Sequence, residues 1–384
     1  MVRRFILNEV SHFGPGARQV LPDEVKRLGG TKALLVTDKG LIKFGVAKLV
    51  TDVLDAASVN YEIYSEIKPN PTVTNVLDGV EAFKAAEANI IIALGGGSSI
   101  DTAKGISIII NNPEFADVVS LEGCAPTKHK GVPIIALPTT AGTAAETTIN
   151  YVIIDEVKHK KMVCVDPNDI PASAIIDAEL MYSLPKSLTA ATGMDALTHA
   201  IEGLITKAAW EMSDMFEIEA IRMITKYLEI AVNDPKNPVG RDGMAVAQYI
   251  AGMAFSNVGL GLVHGMAHPM GSLFDVPHGV ANALLLPTVM EFNAPVALEK
   301  YVIIAQTMGV YQPRMSAEEA AKAACDAVRA LAVRVGIPQH LTELGITEND
   351  IPRLAQQAME DVCTPGNPRE VTIDDVIALY KKVL

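Results

Sequence analysis

One carboxylate and four of the chain's eight histidines occur at spacings that suit a metal site. Asp195 and His199 are four residues apart, and His264 and His268 repeat that spacing, so each pair would share one face of a helix. His278 follows in what the sequence indicates is a loop. Imidazole and carboxylate groups that converge are ligands that divalent metals accept. The sequence therefore predicts a metal site. A single histidine is more often an ordinary core or surface residue, and spacing alone does not choose His264 over His268.

A second chemical signal is a run of three glycines between a predicted strand at 90–94 and a predicted helix. Glycine lets backbone N–H groups approach a phosphate closely, and the start of a helix favours negative charge. The spacing is not that of the common dinucleotide fingerprint. The alternative interpretation is a tight turn in which Ser98 and Asp101 form a capping box. We favour phosphate binding by Gly96, Gly97 and Ser98, because three glycines exceed what a cap requires.

Two further positions suit a nucleotide. A hydroxyl-rich loop follows another apolar run, and its Thr139, Thr140 and Thr143 could contact phosphate or ribose. Asp38 follows the predicted strand 33–37, where a carboxylate can accept hydrogen bonds from ribose hydroxyls and would repel a 2′-phosphate. This favours NAD over NADP, although Asp38 could equally be an ordinary turn residue.

Composition narrows the class of protein. A chain of 384 residues is too long for one ordinary core, so two domains are expected. With 32 basic against 45 acidic side chains, the net charge of −13 argues against nucleic acid or anionic membrane surfaces as partners. We expect no signal peptide and no membrane span, because polar residues interrupt the apolar stretch 249–274. Four scattered cysteines without a C-x-x-C motif indicate a reducing cytoplasm.

The pattern of elements changes near residue 184. Up to that point short strands alternate with amphipathic helices, which predicts a Rossmann-like α/β nucleotide-binding domain, 1–184, with a parallel sheet covered by helices. Residues 185–384 show long helical periods, one of them over 241–273, and predict an all-helical metal-binding domain. The predicted strands are 5–7, 33–37, 61–64, 90–94, 133–137, 150–154, 162–165 and 174–176.

Five motifs carry a resemblance to a known family. They are GGGSSID (95–101), PTTAGTAAE (138–146), ATGMDALTHAIEG (191–203), GLVHGMAHPMG (261–271) and PHGVANA (277–283). With these motifs the sequence resembles the iron-containing (group III) alcohol dehydrogenases nearly from end to end, and the last three motifs are highly specific. The resemblance implies a dehydroquinate synthase-like fold, with an α/β nucleotide domain followed by a helical metal domain.

The resemblance also implies roles for individual residues. Asp195, His199, His264 and His278 would bind Fe²⁺, and His268 would stand beside the metal as a candidate proton relay. The ligand types alone also suit Zn²⁺, Co²⁺ or Ni²⁺, so only the resemblance selects iron. NAD(H) would lie along the glycine and threonine loops, with three further residues nearby: Asn70, Asn150 and Lys161.

Two residues are candidates for the substrate pocket. Phe255 precedes the second histidine pair, and a bulky ring there would limit substrate size; ordinary core packing is an equal alternative. The resemblance suggests that Cys363 faces the nicotinamide, whereas the bare sequence favours a buried structural thiol.

The resemblance implies reversible hydride transfer between NAD(H) and a small substrate. The aldehyde would be lactaldehyde and the alcohol 1,2-propanediol. Oxidation of 1,3-propanediol or of a primary alcohol is the alternative within the family. Lyase chemistry of the dehydroquinate synthase type is disfavoured, because the acidic chain does not suit a phosphorylated substrate. A non-catalytic metal-binding scaffold is the alternative outside the enzymes. The resemblance further implies a homodimer.

Overall fold

The computed structural model describes residues 2–158 and 160–384. The chain forms two compact units, one ending at Leu184 and one running from Pro185 to Leu384. The first unit contains a parallel six-stranded sheet and the second is built from helices, which confirms the predicted fold class. The strands are β1 Val10–Phe13, β2 Ala33–Val36, β3 Tyr61–Tyr64, β4 Ile90–Gly95, β5 Ile134–Pro138, β6 Asn150–Asp155, β7 Lys160–Val165 and β8 Ser173–Ile176.

Helices cover both faces of the sheet in the first unit. The strand order is β1-β8-β5-β4-β2-β3, and every neighbouring pair is parallel. Leu34 and Ile91 belong to one buried cluster, whereas the next residues, Leu35 and Ile92, belong to another. Such double burial explains the continuous apolar runs of the central strands. The helices are α1 Leu21–Arg27, α2 Lys39–Lys43, α3 Val46–Ala56, α4 Val73–Ala85 and α5 Gly97–Asn111.

Two predictions about the strands were wrong. The run 5–7 is not a strand, and the first strand is β1, which lies at the sheet edge and pairs with β8. An edge strand is only partly buried, so its Val-Ser-His-Phe sequence lacks the continuous apolar run of a central strand. The strands β6 and β7 do not join the main sheet. They form a separate antiparallel pair, because their connection is too short for a parallel crossover.

The second unit contains helices and no strand among its residues, 185–384. Its α8 and α9 replace the single helix predicted over 241–273. The chain breaks at Gly259, whose φ of 79° lies in the region that favours glycine. The helices are α6 Lys186–Ile205, α7 Glu211–Asn233, α8 Pro238–Val258, α9 Leu262–Phe274, α10 His278–Asn293, α11 Leu298–Thr307, α12 Ala317–Arg334, α13 Ile351–Glu360 and α14 Ile373–Lys382.

The helix α10 was not predicted. It places His278 at its first turn, so the interpretation of His278 as a loop residue was wrong. The residues of this helix are apolar and buried on nearly all of its sides. Its sequence therefore lacks a single apolar stripe with the period of a helix.

Within the described part of the chain, no single helix is long and apolar enough to cross a membrane. Helices α8 and α9 meet the length and composition criteria only when taken together, and they are bent by 102° at their junction.

A buried acid in α7 leads to a prediction about stability. Glu217 is fully buried against Gly203, and neither carboxylate oxygen has a hydrogen-bond partner among the described residues. Burial, reinforced by Asp214, raises the pKa of Glu217 well above its ordinary value. Ionisation of Glu217 therefore destabilises the folded state. This loss of stability is absent below the pKa that Glu217 has in the unfolded chain, and it grows as pH rises toward the pKa of Glu217 in the folded state. We expect Glu217→Gln to raise stability at pH 8 by about 1–3 kcal/mol.

Thermal unfolding at pH 5 and pH 8 measures this effect. The gain should be larger at pH 8, and the exposed Glu299→Gln variant serves as the matched control. A Glu217→Gln protein that is less stable than the parent at pH 8 would mean that the carboxylate is needed in its charged form.

Candidate functional site

Three helices of the second unit bring four of the predicted ligands together. Asp195 and His199 come from α6, His264 from α9 and His278 from α10, and their candidate ligand atoms all lie within 4.8 Å of one another. The Nε2 atom of His278 is 3.6 Å from one Asp195 oxygen, and Nδ1 of His199 is 3.9 Å from the other. Three imidazoles and a carboxylate are a donor set that fits a divalent ion.

Close packing of α10 on α6 makes this convergence possible. A Cβ atom at Gly279 would lie only 2.3 Å from the Ala191 carbonyl oxygen, so position 279 requires glycine. The neighbouring His278 side chain is 25% exposed, whereas Asp195 is 2% exposed. The ligand group is therefore buried on the α6 side and accessible beside His278.

Glu202 is a residue of this site that the sequence analysis missed. Its Oε2 atom lies 2.6 Å from Nδ1 of His264, and both side chains are buried. A carboxylate on Nδ1 keeps the proton there and leaves Nε2 of His264 unprotonated, as a metal ligand must be. Glu202 also accepts hydrogen bonds from the backbone N–H groups of Val263 and His264 at the start of α9. The available signal was its position seven residues after Asp195, on the same helix face.

The Glu202–His264 pair predicts the effect of a conservative substitution. Glu202→Gln removes the negative charge and leaves one acceptor oxygen for Nδ1 of His264 and two backbone N–H groups, so the hold on His264 weakens and iron affinity should fall about 10- to 100-fold. Competitive chelation followed by metal analysis measures this affinity. The exposed Glu299→Gln variant is the control, and an unchanged affinity would show that Glu202 only supports α9.

Asn282 was also missed. Its fully buried amide nitrogen lies 2.7 Å from an Asp195 oxygen and 3.1 Å from Nε2 of both His264 and His278. One N–H of this amide donates to Asp195 and fixes its carboxylate, and the other points toward the two ring nitrogens, so the amide nitrogen faces the ligand group. Its spacing of four residues from His278 was the detectable signal, once α10 is known.

His268 stands beside the ligand group in a different hydrogen bond. Its ring stacks on His278 at a centroid distance of 5.4 Å, and its Nδ1 lies 2.7 Å from a carboxylate oxygen of Asp361. Burial opposes ionisation of Asp361, but His268 and the backbone N–H of Cys363 hold the pKa of Asp361 below its ordinary value. The carboxylate therefore fixes the orientation of the His268 ring and leaves Nε2 as its other polar atom.

The two pocket candidates lie close to these histidines. Phe255 is buried and stacks on the His199 ring with a centroid distance of 4.2 Å and an interplanar angle of 13°. It therefore packs against a candidate ligand. Cys363 is partly exposed and follows Asp361 by two residues, and burial together with that carboxylate raises the pKa of its thiol well above the ordinary value.

The glycine loop in the first unit ends strand β4 and begins helix α5. Gly96 precedes the helix, and the first bond of the helix runs from the Ile100 N–H to the Gly96 carbonyl. The N–H groups of Gly97 and Ser98 come before that bond and are available to an anion. The capping-box alternative was wrong. Ser98 donates to the Pro69 carbonyl, and Asp101 accepts from the backbone of strand β6.

The threonine loop lies against the glycine loop. Thr139 donates its backbone N–H to the Gly95 carbonyl at 2.9 Å. A Cβ atom at Gly97 would lie 3.0 Å from the Thr143 methyl group, and one at Gly96 would lie 3.3 Å from Thr140. The two predicted loops therefore lie side by side at the carboxyl ends of β4 and β5, the usual place for a ligand in such sheets.

The other predicted nucleotide contacts belong to the same unit. Asp38 follows the neighbouring strand β2, and one of its oxygens caps α2 by accepting from the Leu41 N–H at 2.9 Å. Asn70 follows Pro69, whose carbonyl accepts from the glycine loop. Asn150 and Lys161 lie on the β6–β7 pair, and the Asn150 carbonyl accepts from the buried Lys104 of α5. These contacts tie the candidate nucleotide residues to β2, α5 and the hairpin.

Comparison with known proteins agrees with this arrangement. A family model described as iron-containing alcohol dehydrogenase matches residues 8–178, and one described as the C-terminal part of the Fe-containing alcohol dehydrogenase family matches residues 189–384. The chain therefore belongs to the iron-containing alcohol dehydrogenases, a family of alcohol oxidoreductases, as the motifs indicated.

Individual relatives match over nearly the whole chain. Lactaldehyde reductase of Escherichia coli (strain K12) is 57% identical over 380 residues, which is 99% of each chain. The crystal structure of a 1,3-propanediol oxidoreductase covers 100% of both chains with a TM-score of 0.97 and 40% identity. Sulfoacetaldehyde reductase from Bifidobacterium kashiwanohense, solved in complex with NAD⁺, has a TM-score of 0.87 and 30% identity over 100% of this chain and 99% of its own.

Proposed function

We propose that this chain catalyses the reversible reduction of lactaldehyde to 1,2-propanediol with NAD(H) and Fe²⁺. The observation that carries the proposal is 57% identity to a lactaldehyde reductase over 99% of both chains, together with the intact group of three histidines and one aspartate. The structural similarity to a 1,3-propanediol oxidoreductase supports the alternative, which is a diol or primary alcohol dehydrogenase of the same family.

The residues of the second unit would hold the metal and handle the proton. Asp195, His199, His264 and His278 are the proposed ligands, with Glu202 orienting His264. When bound, the metal supplies a Lewis acid for the oxygen of the aldehyde or alcohol. His268 would exchange the hydroxyl proton at Nε2, since Asp361 holds its Nδ1.

The residues of the first unit would bind NAD(H). The N–H groups of Gly97 and Ser98 would receive the phosphates, with the threonine loop beside them. Asp38 keeps one carboxylate oxygen beyond its cap for the ribose hydroxyls and would repel a 2′-phosphate. The relative solved with NAD⁺ supports this cofactor.

The close approach of the two loops predicts the result of adding one methyl group. Gly97→Ala places a Cβ atom 3.0 Å from the Thr143 methyl group, on the surface that the phosphates would approach. We expect the Kd for NADH to rise about 10-fold, roughly 1.4 kcal/mol, while bound iron stays constant. Fluorescence titration measures the Kd. If NADH binding is unchanged, phosphate must bind away from this loop.

The defining experiment compares substrates. Anaerobically purified, Fe²⁺-reconstituted protein is assayed for NADH oxidation with lactaldehyde, propanal and 3-hydroxypropanal. A preference for lactaldehyde supports the proposal. Activity confined to the other aldehydes would replace it with the diol or primary alcohol alternative. If no aldehyde is turned over although metal is bound, the alternative of a non-catalytic metal-binding scaffold is favoured.

Metal identity is tested separately. The proposal of iron predicts that activity decays in air and returns with ferrous salt and a reductant. Full, air-stable activity with Zn²⁺ alone would contradict it, since the ligand types suit either metal.

We also propose a cytoplasmic homodimer. Its support is the free state of all four cysteines, which suits a reducing compartment, and the position of β1 at the edge of the sheet. Light scattering coupled to size-exclusion chromatography measures the mass, and a monomer at micromolar concentration would contradict the dimer.

A further inference from the structure

A second group of metal-ligating side chains lies next to the first. His268, Asp361 and Cys363 each offer one atom, and these three atoms lie within 4.8 Å of one another. The first group offers only nitrogen and oxygen, whereas this group adds the sulfur of Cys363. Imidazole, carboxylate and thiolate are all zinc ligands, and three protein ligands leave the fourth position of a tetrahedral zinc ion open.

The group is held in place by its own hydrogen bonds. Asp361 bridges the other two members, since one oxygen lies 2.7 Å from Nδ1 of His268 and the other accepts from the Cys363 N–H at 2.9 Å. The side chains of His268 and Asp361 are only 7% and 8% exposed. Ligands around a tetrahedral zinc ion lie about 3.3–3.8 Å apart, so an adjustment of about 1 Å would close the group around an ion.

We propose that His268, Asp361 and Cys363 form a second divalent-cation site, selective for a thiophilic cation such as Zn²⁺. Sulfur ligands favour Zn²⁺ or Co²⁺ over Mg²⁺ and Ca²⁺. An ionised Asp361 and a Cys363 thiolate would together balance the charge of the ion, and binding would release the thiol proton. The site does not depend on the proposed substrate or on occupation of the first group.

The second site has a consequence that rests on the proposed function. A cation bound to Nδ1 of His268 replaces Asp361 as the partner of that atom, so the neutral ring carries its proton on Nε2 and Nε2 cannot accept the hydroxyl proton. One equivalent of Zn²⁺ added to the iron-loaded enzyme therefore inhibits it without displacing the iron.

Cobalt provides the test, because a Co²⁺–thiolate bond gives a charge-transfer band in the near ultraviolet. The first group contains no sulfur, so such a band cannot come from the first group. Titration of the metal-free full chain with Co²⁺ should give this band and a second bound equivalent. Cys363→Ser should lose the band and Asp361→Asn should weaken it, whereas His264→Ala should keep it.

Controls separate the proposed site from other thiols and from misfolding. Cys124 is the exposed cysteine, and Cys124→Ser should retain the full band. Circular dichroism checks that Cys363→Ser and Asp361→Asn remain folded. A saturated protein with no thiolate band would overturn the proposal. So would a band that Cys124→Ser removes and Cys363→Ser leaves in place.

Discussion

His264→Ala should lose its bound iron and at least about 10³-fold in kcat/KM for aldehyde reduction. The reason is geometric, because His264 is fixed by Glu202 on one ring nitrogen and presents the other to Asp195 and His278. Removing the His264 side chain leaves three ligands and deletes the ligand that Glu202 orients. Iron content after desalting and steady-state NADH oxidation are the two measurements.

The variant is expected to fold, because Glu202 keeps its bonds to the backbone N–H groups of Val263 and residue 264. The exposed His129→Ala variant is the matched control and should retain iron and activity. If His264→Ala keeps full iron content and turnover, the metal is held elsewhere.

His268→Ala should reduce kcat about 10²- to 10³-fold while iron content stays at the level of the parent enzyme. The imidazole stacks beside His278, and Asp361 fixes its orientation, so it suits proton transfer at Nε2. Removing the ring deletes that route but leaves all four proposed ligands. Pre-steady-state and steady-state NADH oxidation, with metal analysis of the same sample, measure both quantities.

Asp361→Asn is the companion variant, since it retains the His268 ring and removes the charge that fixes it. We expect a loss of kcat smaller than that of His268→Ala, with NADH binding unchanged. A loss of iron in His268→Ala equal to its loss of activity would mean that His268 ligates the metal and is no relay.

The sequence predicted the parts of the molecule that local spacing controls. Asp195 and His199 lie one helical turn apart, so their convergence follows from the helix alone. The central strands were evident because burial on both faces leaves a continuous apolar run. Strand β1 was missed because an edge strand carries no such run, and α10 because it is apolar on nearly every side.

The roles of residues that act through tertiary contacts could not be predicted from the sequence. Spacing could not rank His264 above His268, because the difference depends on which carboxylate each ring meets, Glu202 or Asp361. The glycine loop was located from sequence, but the competing capping box was excluded only when Ser98 was seen to donate elsewhere. The family resemblance supplied the ligand assignment that the residues alone left open.

The position of Glu202 couples metal retention to the local opening of one helix. Its carboxylate holds both His264 and two N–H groups in the first turn of α9. The free energy of metal binding is then linked to the free energy of opening the first turn of α9. Bound metal makes this turn harder to open, and opening the turn weakens metal binding. Iron should slow amide hydrogen exchange at Val263 and His264 more than elsewhere in the unit. Fraying of a single helical turn, rather than unfolding of the unit, would then set the rate at which the metal escapes.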